Sequence, residues 1–278
     1  MSDIKVGLQL YSIRDFMEKD MDETLKQVKE IGYDYVEFAG FFGKSAEEVK
    51  ALLKKHGLEV ASVHQGLQPF LEGGNAIIDY LAELGTKYCA IPWYERAKLE
   101  KGTPVWDETT KNFTAYGKAL KDKGIKMLYH NHDFEMDVID GKCILDWIYE
   151  SISADLLEPQ FDTCWVRYGG YDPVEYIEKY KGRVEIIHLK DFTCKKLGGG
   201  PVYALIDGTG KEGKKPTREE NEFKFQPLGM GMQDFPAILQ AAKNVGVKCV
   251  IVEQDQSLDR SSLEAAKISR EYLRSLGL

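Results

Sequence analysis

Three things are scarce in this sequence, and each scarcity removes a class of protein. Cysteines are few, odd in number and far apart: Cys89, Cys143, Cys164, Cys194 and Cys249, with no Cys-x-x-Cys spacing. That argues against a disulfide framework or a zinc knot and fits reduced thiols. Long apolar runs are absent, since nothing approaches the roughly 18 residues needed to cross a bilayer. Met1 to Leu10 also lacks the apolar core and cleavage pattern of a signal peptide. The cytoplasm is the expected compartment, with no membrane partner. Basic charge is in deficit, 37 Lys and Arg against 45 Asp and Glu, a net charge of −8. Proteins that bind nucleic acid usually carry a basic patch that neutralises phosphates, so no nucleic-acid partner is expected.

What is present is rhythm. Short apolar runs alternate with longer amphipathic ones. Lys5 to Tyr11 reads as a strand, and Met21 to Ile31 as a helix with Leu25, Val28 and Ile31 at helical spacing. Tyr33 to Phe38 is a second strand, and Ser45 opens a helix with a capping box that stops at His56-Gly57. Leu58 to His64, Tyr88 to Pro92, Ile125 to His130, Leu157 to Asp162, Val184 to Lys190 and Lys248 to Glu253 continue the strand series. Helices are expected at Asn75 to Leu84, Asp107 to Lys123, Cys143 to Ile152, from Asp172-Pro173, at Met232 to Val245 and at Ser261 to Leu276. Eight strand-then-helix units in 278 residues match an α/β fold, the (β/α)8 TIM barrel, as one domain over residues 1–278. An open doubly wound sheet is the runner-up, disfavoured because no GxGxxG follows the first strand. The stretch Phe192 to Gln226, rich in Gly, Lys and Glu, is an irregular insertion leaving the seventh strand. Its length suggests a lid, or a subunit contact in a homo-oligomer.

Several of these strands finish in residues that bind metals or move protons. Strand two ends at Glu37, three at His64, five at His130-Asn131-His132, six at Asp162, seven at His188-Leu189-Lys190-Asp191 and eight at Glu253. Four of the five histidines lie at these ends. Strand ends ring one cavity in a barrel, with neighbouring strands about 4.7–4.9 Å apart, so Asp162, His188 and Glu253 converge on one point. A mixed carboxylate and imidazole set with open positions suits a divalent cofactor, Mn2+, Mg2+, Co2+ or Zn2+. Each residue taken singly also has a structural reading: Asp162 as a turn cap, His188 as a hydrogen-bonded core histidine, Glu253 as half of an ion pair. Most of the tyrosines and tryptophans read as core.

In these residues the sequence resembles the sugar phosphate isomerase/epimerase group of the xylose isomerase-like barrels, which includes inosose dehydratases. The pieces are Gly7-Leu-Gln-Leu-Tyr-Ser-Ile-Arg14, Tyr129-His-Asn-His-Asp-Phe-Glu135, Asp162-Thr-Cys-Trp165, Asp172-Pro173, His188-Leu-Lys-Asp191, Pro227-Leu-Gly-Met-Gly231 with Asp234-Phe235, and Val252-Glu-Gln-Asp255. The resemblance implies a metal set of a carboxylate from strand five, Asp162, His188 and Glu253, with Mn2+ as the favoured ion. Strand five departs: where many members have Glu, this chain has His130. Either His130 ligates, or Glu135 folds back to do so, or the protein supplies three ligands.

The implied chemistry is that of an isomerase or epimerase on a sugar or polyol, through an enediolate. The metal polarises a carbonyl and a positioned base removes the neighbouring proton. Glu253, Lys190, His130 and Glu135 are the candidates for catalysis. His64, Glu37, His132 and Trp165 are the candidates for substrate binding. Two alternatives stand beside this reading: a lyase that dehydrates a keto-cyclitol, favoured by His130-Asn-His132 and His188-Leu-Lys190, and a sugar-binding barrel without catalysis.

Overall fold

The computed structural model describes residues 4–198 and 218–278. Eight parallel strands form one sheet: β1 Lys5–Gln9, β2 Tyr35–Phe38, β3 Glu59–His64, β4 Tyr88–Ile91, β5 Lys126–His130, β6 Leu157–Gln160, β7 Ile186–Leu189 and β8 Cys249–Val252. Their spatial order is β6-β5-β4-β3-β2-β1-β8-β7. The remaining seam, between β6 and β7, is closed by a single parallel bridge at Asp162 and His188. There the His188 N–H donates to the Phe161 carbonyl at 2.8 Å and Thr163 Oγ1 donates to the His188 carbonyl at 3.0 Å. The fold is the barrel that the strand count implies.

Between and after the strands lie α1 Met21–Ile31, α2 Ala46–His56, α3 Ala76–Leu84, α4 Pro104–Asp122, α5 Ile144–Ser151, α6 Pro173–Lys179, α7 Phe235–Val245 and α8 Ser262–Ser275. Local chemistry sets their starts. Asp20, Ser45, Thr103, Asp172, Asp234 and Ser261 each accept a first-turn N–H, and Ser45 with Glu48 completes the capping box. Their apolar stripes, such as Leu25 with Val28 and Phe113 with Tyr116 and Leu120, are buried against the strands.

Five strands end short of the sequence reading, three of them by one residue, and at the other two a capping side chain stops the ladder. β1 ends at Gln9, not Tyr11, because the Gln9 side chain accepts the Tyr11 N–H and turns the chain into a short 3-10 helix, Leu10–Ile13. β6 ends at Gln160, because Asp162 caps the short helix Thr163–Tyr168 by accepting the Cys164 N–H. All five cysteines are unpaired. Among the described residues no helix is long and apolar enough to cross a membrane.

The inward side chains follow the period of two along each strand. The middle of the barrel holds small or apolar residues: Ala61, Ala90, Leu128, Ile186, Cys249 and Ile251. The next layer, at the C-terminal ends, is almost wholly polar. Gln160 on β6 reaches Glu37 on β2 at 2.7 Å although these strands are not neighbours, so both side chains point into the lumen.

The expected irregular insertion has an ordered base. Asp191–Thr193 pairs antiparallel with Lys224–Gln226, and Asn221 bonds across it to Lys196 and to the Tyr168 hydroxyl. Residues 199–217, including Gly199 and Gly200, lie outside the described residues. Beside this hairpin the Asp191 carboxylate accepts four backbone N–H groups: Phe192 at 2.9 Å, Gly229 at 3.0 Å, Gly231 at 2.9 Å and Gln233 at 3.2 Å. This explains the Gly-Met-Gly sequence. A Cβ at Gly231 would stand 2.2 Å from Asp191 Oδ1, and one at Gly229, where φ is +82°, 2.4 Å from the Tyr272 ring. Asp191→Ala orphans all four donors. An unsatisfied buried group costs about 1–3 kcal/mol. The Phe192 N–H is buried and the other three are partly open to water, so the variant should lose about 1–3 kcal/mol in urea denaturation, with Asp191→Asn between it and the parent. A loss too small to measure would show that water replaces the carboxylate.

Candidate active site

The polar layer is built around Glu37. Its side chain is wholly buried on β2. Oε1 accepts from Gln9 Nε2 at 2.7 Å and lies 2.9 Å from His64 Nε2 and 2.6 Å from His188 Nε2. Oε2 accepts from Ser62 Oγ and from Gln160 Nε2. Burial alone would raise its pKa, but His64 and His188 outweigh that and hold the carboxyl well below the usual range. A carboxylate so occupied fixes the His188 ring by its Nε2 edge.

The other edge of that ring, Nδ1, lies 2.8 Å from Glu253 Oε2. Burial pushes the His188 pKa down, yet Glu37 and Glu253 on either side override it and raise it to about 10. Lys190 is also buried. Its ammonium sits 2.8 Å from Asp162 Oδ2, 2.9 Å from Glu253 Oε2 and 3.1 Å from Asp255 Oδ1, over the Trp165 ring. Burial raises Asp162 to about 6 against the pull of Lys190, while Lys190 and His188 hold Glu253 well below the ordinary range despite its burial.

His130 completes the group from β5, with Nε2 3.7 Å from Asp162 Oδ2 and 3.9 Å from Glu253 Oε2. Burial and then His188 depress its pKa, which leaves it neutral. His130 Nδ1 has no hydrogen-bond partner among the described residues. One donor atom from each of His130, Asp162, His188 and Glu253 lies within 4.8 Å of the others, and all four residues are buried. Two imidazoles and two carboxylates at the C-terminal ends of β5 to β8 fit a divalent ion.

The structure therefore brings Asp162, His188, Glu253, Lys190 and His130 together. It places Glu135 apart: one carboxylate oxygen accepts from the Tyr129 hydroxyl at 2.6 Å and the other from the His132 N–H at 2.8 Å. His64 and His132 are each 8% exposed and edge the group, 4.8 and 5.3 Å in ring separation from His130. Trp165 has no exposed surface and stacks on Phe223. Sequence reasoning gave no role to Gln9, Ser62, Gln160, Asn131 and Asp255. Asn131 Oδ1 accepts the Asp162 N–H at 3.0 Å and so steadies that turn. A usable signal existed for Gln9 and Gln160, which are polar residues at inward positions of otherwise apolar strands.

The profile of the xylose isomerase-like TIM barrel matches residues 25–276, and the chain belongs to that family. It is 23% identical over 280 residues to an inosose dehydratase of Clostridium perfringens, covering 92% of this chain and 90% of that one. It is 27% identical over 191 residues to an inosose dehydratase of Geobacillus kaustophilus, spanning 61% of each chain. Among solved structures, a sugar phosphate isomerase/epimerase from Parabacteroides distasonis superposes with a TM-score of 0.76 at 22% identity, covering 99% of this chain and 95% of that one. The IOLI protein with a bound zinc atom superposes with a TM-score of 0.69 at 14% identity, covering 98% of each. At these identities both structures speak to the fold.

Glu135 supplies a test of the electrostatics. Burial raises its pKa from 4.5 to about 8. The folded state then binds the proton more tightly than the unfolded state, so stability falls as pH rises from the unfolded value through about 8. The slope approaches about 1.4 kcal/mol per pH unit within that window. Urea midpoints from acid to alkaline pH should show this decline, and Glu135→Gln should flatten it. An equally steep decline in the variant would assign the titration to another group.

Proposed function

We propose that this protein moves a proton at the carbon next to a carbonyl of a sugar or sugar derivative, as an isomerase or epimerase, with a divalent ion held by His130, Asp162, His188 and Glu253. The observation that carries the reading is the buried four-donor group with a lysine ammonium against two of its carboxylates. When bound, the ion supplies electrophilic polarisation of the substrate carbonyl. The residues of the chain do the rest. Glu37 holds His188 by Nε2 and leaves Nδ1 facing the site. Glu253 receives the substrate proton and returns it to the adjacent carbon on the same face; inversion requires a second group that delivers a proton from the opposite face. Lys190 offsets the negative charge that develops on the substrate oxygen. His64 and His132, at the edge of the group, donate to substrate hydroxyls. Burial of the whole set excludes water and strengthens each charge.

A second reading, dehydration of a keto-cyclitol, is favoured by one specific observation. Loss of a β-hydroxyl needs a group that protonates the leaving oxygen, and the Lys190 ammonium stands against Glu253, the proposed base. Inosose dehydratases among its relatives support the same outcome. The two readings share the proton removal and part at the next step. Ketoses, aldoses and keto-inositols assayed with Mn2+ and followed by product analysis separate them: a rearranged or inverted product marks the first, loss of water the second. No turnover on any of them would favour a binding protein.

Elemental analysis after purification in metal-containing buffer should find about one equivalent of a divalent ion, and His188→Ala should lose it. A parent protein that takes up no metal at neutral or higher pH would sink the metal assignment. Glu253→Gln keeps the shape of the side chain, but an amide accepts no proton at neutral pH. Its turnover should fall by about 10²–10⁴-fold, and the parent should incorporate solvent deuterium at the reacting carbon. Near-parent turnover in a metal-loaded Glu253→Gln would move the base to His130 or Lys190.

A further inference from the structure

A second cavity opens at the opposite end of the barrel. It holds about 600 Å³ and is bordered by the N-terminal ends of the strands and by α2 and α3, a size within the usual range for small-molecule sites. Its apolar lining includes Ala61, Leu84, Ile186 and Cys249, with Tyr35 and Tyr88 at the sides. Its charge is lopsided. Lys5, Lys50, Lys54, Lys87 and Lys248 line it, against Glu59 as the one lining carboxylate.

What marks this mouth is the gathering of five lysines at one opening, since lysines without a carboxylate partner among the described residues also occur singly elsewhere, as at Lys111, Lys118 and Lys243. The chain as a whole carries a net charge of −8, so a cationic ring runs against its composition. Lysines elsewhere commonly pair with carboxylates, as in Lys29–Asp34, Lys55–Asp22, Lys121–Asp155, Lys123–Asp79 and Lys142–Glu150. At the cavity Lys248 pairs with Glu185 at 2.6 Å, and that carboxylate also takes Lys126. Lys5, Lys50, Lys54 and Lys87 form no ion pair with a carboxylate among the described residues. Lys5 lies over the Tyr35 ring at 4.3 Å, and Lys50 donates to the Glu83 carbonyl at 3.0 Å. Like charges gathered at one opening repel each other, and a bound anion relieves that repulsion.

We propose that this mouth binds a small organic anion: a carboxylate, phosphate ester or sulfonate carried on a ring-sized apolar body. The lysines meet the charge, and the floor and the tyrosine faces take the body. The site is independent of the chemistry proposed for the other end of the barrel.

The test uses the full chain and 8-anilinonaphthalene-1-sulfonate, which combines an aromatic body with one sulfonate. Its fluorescence should rise on binding, and 2-naphthoate should displace it. In the double variant Lys54→Glu/Lys87→Glu the dissociation constant should rise at least about tenfold, because two attractive charges become repulsive. Lys54→Gln/Lys87→Gln should fall between that variant and the parent. Lys19→Glu/Lys44→Glu, on loops at the opposite end, should bind as the parent does. Added salt should weaken binding to the parent, since the lysines at the opening are screened. Circular dichroism confirms that each variant is folded. Parent-like binding in Lys54→Glu/Lys87→Glu would overturn the proposal, and so would equal affinity for the uncharged N-phenyl-1-naphthylamine.

Discussion

Glu37, Asp162, Glu253 and Asp255 are carboxylates withdrawn from water at one end of the barrel, and the protein answers them with His188 and Lys190. Removing an unpaired ion from water costs several kcal/mol even after relaxation, so no member of this set stands alone in the fold. His188 lies between Glu37 and Glu253, and Lys190 among Asp162, Glu253 and Asp255. The rest of the site is arranged to satisfy the remaining lone pairs. Gln9, Ser62 and Gln160 donate to Glu37, and Cys164 N–H to Asp162.

The same residues close the barrel. The seam between β6 and β7 depends on the bridge between Asp162 and His188, and both side chains belong to the four-donor group. Mechanical closure and site geometry are therefore coupled. A change that shifts the Asp162 turn also shifts a ligand atom, and the Asn131 amide that accepts the Asp162 N–H guards against it. Asp191 does similar work one residue beyond Lys190, where its carboxylate ties β7 to the loop through Gly229 and Gly231.

The two ends of the barrel are electrostatically different. The C-terminal layer buries carboxylates against a lysine and histidines and suits a cation. The N-terminal mouth gathers lysines around an apolar floor and suits an anion. Between them lies the plug of Ala61, Ala90, Leu128 and Ile251, which keeps the two regions apart. One scaffold thus presents opposite charge preferences at its two faces.

The eightfold repeat, the capped helix starts and the polar ends of the strands at Asp162, His188 and Glu253 are legible in the sequence, because they follow from periods and turn residues that are local in the chain. The sequence could not choose between His130 and Glu135. That choice depends on the loop after β5, where Glu135 finds Tyr129 and the His132 N–H close by and turns to them. It also assigned Glu37 to the substrate, whereas the fold encloses that side chain beneath two histidines. The partners of Glu37 come from β1, β3, β6 and β7. The lysines of the N-terminal mouth likewise come from separate units, Lys5, Lys54 and Lys87 among them, and no local pattern joins them. Local pattern reaches across a few residues, while hydrogen bonds and charge pairs in the barrel join residues from 25 to more than a hundred apart, and only formation and closure of the sheet bring those within reach.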